Sequence, residues 1–134
     1  MKFKYYIIVA CIVLAGCKIE SARLAADLKG TWELTSVYGD WGGNHEYEPG
    51  NGNIIIFNGD TYYQEIKTTD TTYKLSGTFI IYTGKPCDFA REQKLITFDN
   101  SEYAGSFSLS GGKLTMGATE CIADGSTSTY RKIE

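Results

Sequence analysis

The chain of 134 residues carries one histidine, two prolines and two methionines, and beyond its first sixteen positions it has no apolar run longer than four residues. A zinc centre draws on about four nitrogen, sulfur or carboxylate ligands. Cys87 and Cys121, the two of its four cysteines that lie beyond the N-terminal segment, do not supply them with one distant histidine, and no cofactor is expected. Basic residues are outnumbered, 13 against 16 acidic. No basic patch exists to displace counterions from a phosphate backbone, which argues against nucleic acid as a partner. No helical period runs long enough for a crossover between parallel strands. Internal repeats, low-complexity tracts, Gly-X-Ser-X-Gly, His-Glu-X-X-His and phosphate-cradling glycine loops are all absent. The carboxylates are scattered, without a pair spaced for glycosidase work. His45, with Glu46 and Glu48 beside it, is the one site where acid–base chemistry can be sought, and exposed-loop polarity accounts for it equally well. The expectation is a protein that is not an enzyme.

What the chain does have begins at its N-terminus. Lys2 and Lys4 precede the apolar stretch Tyr5 to Leu14, too short to span a bilayer as a stable helix. The stretch ends Leu14-Ala15-Gly16-Cys17, which resembles the lipobox of bacterial lipoproteins. The resemblance implies that residues 1–16 are a cleaved signal peptide and that Cys17 becomes the lipidated first residue. A location at the cell envelope follows, with the membrane a partner through the lipid. Acyl chains contribute roughly 0.8 kcal/mol per buried methylene, so two or three of them anchor durably. Cleavage removes two lysines and leaves the mature chain more acidic than the formal −3 of the whole. Cys11 leaves with the signal segment and Cys17 is taken by lipid, so Cys87 and Cys121 remain. In an oxidising compartment these two are read as a disulfide, the alternative being two buried free thiols. Closing a loop of about 35 residues would stabilise by roughly 3–4 kcal/mol on the chain-entropy model.

Residues 17–27 are expected to be a tether or short helix leading to one domain, 28–134. From Leu28 onward apolar residues alternate, punctuated by turn residues. Eight strands are predicted: Thr31–Tyr38, Gly52–Asn58 with its run Ile54-Ile55-Ile56-Phe57, Thr61–Thr68, Tyr73–Ile81, Lys94–Asp99, Glu102–Leu109, Lys113–Ala118 and Thr127–Ile133. Asn58-Gly59 is the strongest hairpin signal, since both residues accept positive φ cheaply. Eight strands joined by short turns, each with one apolar face, point to an all-β antiparallel up-and-down barrel, with a sandwich as the competing solution. Closure removes the exposed edges.

Gly30-Thr31-Trp32 at the start of the first strand, the Asn58-Gly59-Asp60-Thr61-Tyr62 hairpin and the closing Tyr130-Arg131-Lys132-Ile133 carry a further likeness. On these, the chain resembles the lipocalin-like (calycin) domains found on lipoproteins of gut-type bacteria. The resemblance implies that Trp32 sits at the closed end of the barrel, with a cation from the last strand across its indole. Alternation from Tyr130 favours Lys132 for that contact and guanidinium chemistry favours Arg131; Arg131 is taken as the partner. It also implies a long first loop over the mouth. Here that is Gly39 to Asn53, with Trp41, His45 and Tyr47 as a candidate lid.

Ten tyrosines are the compositional oddity. A ring with a polar tip suits a pocket for a molecule of mixed character. Strand phase points Tyr38, Tyr62, Tyr73, Phe79, Tyr103, Phe107 and Met116 inward, either to line a cavity or to fill the barrel. Three roles follow: a lipid-anchored protein that holds a small, partly apolar molecule; a protein-binding or inhibitor module acting through its loops; and an accessory part of an envelope complex.

Overall fold

The computed structural model describes residues 20–39 and 43–134. Residues 20–28 form a helix, α1. Nine strands follow: β1 (Gly30–Gly39), β2 (Gly43–Glu46), β3 (Ile54–Asn58), β4 (Thr61–Lys67), β5 (Thr72–Gly84), β6 (Gln93–Phe98), β7 (Gly105–Ser110), β8 (Lys113–Gly117) and β9 (Ser126–Lys132). Every pairing is antiparallel, and β9 returns to β1. The result is a closed eight-stranded up-and-down barrel of lipocalin-like build, with β2 as an extra strand on β1. Closure gives each wall strand two neighbours, so the alternation of apolar residues has a single inside to fill.

One end of the barrel is solid. Trp32, Ile55, Phe57, Phe79, Ile96 and Leu114 are buried there, and Leu24, Ala25 and Leu28 of α1 pack against them. Phe57 meets Phe79 edge-on at 4.9 Å, and Tyr62 meets Phe98 the same way at 4.8 Å. These are favourable arrangements for the ring quadrupoles. The Trp32 indole N–H donates to the Leu28 carbonyl at 2.7 Å, which ties the helix end to the first strand.

The cation over Trp32 is Lys132, with Nζ 5.4 Å from the ring centroid. Arg131 is not the partner. Trp32 pairs with Lys132 in the β1–β9 ladder, and residues directly opposite share a face. Arg131 therefore lies on the outer face opposite Glu33, to which its guanidinium donates from both Nε and Nη2. Alternation outweighs the chemical preference for a guanidinium.

Two further expectations change. The segment Gly39 to Asn53 is not all loop: β2 pairs with the second half of β1, Ser36 opposite Glu46. All four β2 residues are exposed, so no apolar alternation marks the strand in the sequence. Between β2 and β3 the backbone leaves β1 after Tyr47 N–H donates to Thr35 O and rejoins it where Leu34 N–H donates to Asn53 O, both at 2.9 Å. The strand expected from Glu102 begins instead at Gly105, and β7 meets β6 at only two residue pairs.

Cys87 and Cys121 form the expected disulfide, 34 residues apart in sequence. It joins the β5–β6 connection to the β8–β9 connection, and Ala90, three residues after Cys87, is buried. Reduction is expected to cost about 3 kcal/mol, a fall in the thermal midpoint on the order of 10–20 °C. Thermal melts with and without a dithiol measure it. A fall of under a few degrees would mean that the two connections are held by their other contacts.

Candidate functional site

Above the solid end the barrel is hollow. A cavity of about 490 Å³ opens between β3, β4, β6 and the β8–β9 hairpin, walled by Ile55, Ile96, Phe98 and Met116. A second, of about 310 Å³, lies against Leu34, Val37, Tyr47 and Ile66. Both are lined by Gln64, Ser128 and Tyr130, so the two form adjoining lobes with a polar waist. Either lobe lies within the usual size range of small-molecule sites.

The waist is a consequence of register. Gln64 stands opposite Ile55 on β3 and faces inward with it. Ser128 follows from Tyr130 by the two-residue period of β9, and Tyr130 stands opposite both Leu34 and Leu114. Burial is the main influence raising the Tyr130 phenol above its ordinary pKa, with a hydrogen bond involving Ser128 acting the other way. The phenol is therefore a neutral group at physiological pH. Among the described residues no charged side chain lines the larger lobe. The smaller one has Glu65 and Lys67 along it, and there the backbone N–H of Lys67 donates to Asn53 Oδ1 at 2.7 Å.

The residues expected in a pocket are distributed unevenly. Met116 and Tyr103 line the larger lobe, although Tyr103 is 80% exposed at its rim. Tyr62 faces inward but packs on Phe98, and its hydroxyl donates to Asp99 Oδ2 at 2.8 Å. Phe79 and Phe107 belong to the buried core and line neither lobe. Tyr73 pairs with Ile66 and shares its face, yet it is more than half exposed, on a stretch of β5 that pairs with β4 alone.

Tyr38 points outward, and the reason is local. Leu34 pairs with Tyr130 but Ser36 pairs with Thr129, so Thr35 is an extra residue in β1. Such a bulge reverses the facing of everything beyond it. Val37 takes the inward position, while the exposed Tyr38 hydroxyl donates to Glu46 Oε1 at 3.1 Å. That bond raises the phenol's pKa.

Of the expected lid, Tyr47 lies at the smaller lobe, and His45 is exposed on β2 opposite Val37. Trp41 falls outside the described residues, as does Cys17. Glu46 accepts the Tyr38 hydroxyl. Among the described residues no group of three or more His, Cys, Asp or Glu side chains is placed to hold a metal ion. Gln64, Val37 and Ser128 are not among the pocket residues that the sequence points to. Gln64 and Ser128 were on the inward phase of their strands, but a neutral polar side chain carries little signal of its own.

A scan against protein-family models, a search of curated proteins and a search of solved structures each returned no match for this chain.

Proposed function

We propose that this protein is a lipid-anchored carrier that holds a small, partly apolar molecule across the two lobes of its barrel. The observation that carries this reading is the hollow upper barrel itself, with its apolar walls and its waist of Gln64, Ser128 and Tyr130. An amide and two hydroxyls offer both donors and acceptors without charge, so they suit a neutral hydrogen-bonding group set within an apolar skeleton. Among the described residues the larger lobe has no cation in its lining to hold a carboxylate or phosphate. Anchoring rests on the sequence around Cys17, which supplies the mature first residue and the lipid attachment. Binding, rather than chemistry on the bound molecule, is the activity assigned.

The test is titration with N-phenyl-1-naphthylamine, an uncharged probe whose emission rises in apolar surroundings, followed by displacement with long-chain alcohols, fatty acids, bile-salt-like molecules and haem. Saturable binding at one site is expected. Ser128→Trp places an indole at the waist and should weaken binding at least about tenfold, the effect of losing on the order of 1.4 kcal/mol of contact. Its thermal midpoint should stay within a few degrees of the parent. Absence of saturable binding, or equal affinity in Ser128→Trp, would remove the interior as a site.

A further inference from the structure

Five of the large apolar side chains left exposed lie on or beside one outer face of the barrel. Ile80 and Tyr82 alternate along β5 on its outward side, opposite in phase to the buried Phe79 and Ile81. Tyr82, Tyr103 and Ile122 line a single depression of about 370 Å³ on the outer wall. Phe89, 78% exposed, is two residues from Cys87, and the disulfide fixes that loop to Cys121, next to Ile122. Phe89 and Tyr103 are the two most exposed large apolar side chains among the described residues. An exposed apolar cluster of this kind marks a contact surface.

The chain's own path says what the surface meets. Glu20, Ser21 and Leu24 of α1 line a smaller depression together with Tyr82 and Thr83, so the described chain begins beside the same patch. Cys17 is three residues earlier in sequence. Three residues reach no farther than about 11 Å. Acyl chains on that sulfur would enter a bilayer within about 11 Å of Glu20, which shares its depression with Tyr82.

We infer that the face bearing Tyr82, Phe89, Tyr103 and Ile122 rests in the headgroup region of the bilayer that holds the anchor, and that the barrel cavity opens toward it. The inference rests on the anchoring at Cys17 proposed above. Tyr103 and Ile122 line the outer depression and the larger lobe alike, so they form the rim between them. A molecule entering the lobe over this rim comes from the membrane side. Aromatic rings with polar tips are well suited to the interface, where one end is apolar and the other wet. Charge does not drive the contact: Lys85 and Arg91 are set among Asp88, Glu92, Glu102 and Glu120. Attachment of this face should therefore be as strong on phosphatidylcholine as on anionic vesicles, and indifferent to salt.

Brominated phosphatidylcholine vesicles test the orientation directly. The mature chain, residues 17–134 with its disulfide intact, is coupled through the Cys17 thiol to a maleimide-bearing lipid, so that attachment does not depend on processing in a cell. Phe89→Trp and Leu75→Trp each add one exposed indole, and the added emission over the parent is read. Leu75 is 48% exposed on the part of β5 that pairs with β4 alone. Insertion of about 5–10 Å should quench Phe89→Trp at least about twofold more than Leu75→Trp. Equal quenching, or stronger quenching of Leu75→Trp, overturns the orientation. A concentration-dependent dimer of the lipid-free chain that Phe89→Ser abolishes would give the patch to a second copy instead, which also overturns it. Mass analysis of the natural N-terminus checks the anchoring separately, so a missing lipid on Cys17 and a misassigned face give different results.

Discussion

Replacing Gly30 with alanine is expected to lower the thermal midpoint by roughly 10–20 °C, through a loss of about 3 kcal/mol in a domain of this size. Gly30 has φ of +131°, a region in which a side chain is strained by about 1–3 kcal/mol. The added Cβ would also lie 2.3 Å from the Glu134 carbonyl oxygen and 2.8 Å from Lys132 Cε. That carbonyl accepts the Thr31 N–H at 3.0 Å, and Ile133 N–H donates to Thr31 O at 2.9 Å. Moving it aside unfastens the chain's end from β1 and pulls Lys132 away from the Trp32 indole. The glycine of Gly30-Thr31-Trp32 is thus required by backbone crowding at the solid end. Gly59→Ala is the control. Its φ is +65° with nothing within 4 Å of the added Cβ, so only the left-handed strain of about 1–2 kcal/mol should appear. Equal losses in the two variants would mean that the crowding at Gly30 relaxes at no cost.

Much of this barrel was legible because one-sided burial writes a period of two into each strand. The Asn58-Gly59 hairpin and the return of the last strand to the first follow from short turns and alternation, while the pairing of Cys87 with Cys121 follows from setting Cys11 and Cys17 aside. What escaped was whatever breaks that period. The extra residue at Thr35 has no sequence signature, and it put Tyr38 on the wrong face while hiding Val37. Strand β2 buries no side chain and owes its existence to the free edge of β1 beyond its pairing with β3. The cavity was harder still. Alternation tells which side chains face inward, but hollowness depends on how far opposite walls stand apart. Phe79 and Phe107 face inward and fill the core, whereas Met116, equally inward, borders a void.

Glu33 gives the barrel an acid-sensitive clasp. Its side chain is 5% exposed although it lies on the outer face of β1, because residues 50–52 fold over it. Arg131 donates to it from both Nε and Nη2, and Gly50 and Gly52 hold positive φ in the turn that brings their backbone to the carboxylate. The Arg131 hydrogen bonds, aided by the N–H groups of Gly50 and Gly52, hold the carboxyl below its ordinary pKa against the opposing effect of burial. A carboxylate favoured in the folded state contributes stability above its unfolded pKa, and that contribution disappears as pH falls through the folded value. Wild-type protein should therefore weaken on acidification below about pH 4.5, and Glu33→Gln should lack that part of the decline. Removing the cation is the harsher change. Arg131→Ala leaves a buried carboxylate without its counter-charge and should cost about 2–3 kcal/mol at neutral pH, less than for a fully buried pair because Arg131 is partly solvated. In that variant burial no longer has Arg131 to oppose it, so Glu33 takes up a proton at higher pH and the penalty is relieved. The stability gap between wild type and Arg131→Ala should narrow steadily from pH 7 to pH 3.5 in urea unfolding. If the gap stays constant across that range, Arg131 contributes through the packing of its stem on the barrel wall and the ion pair itself is energetically silent.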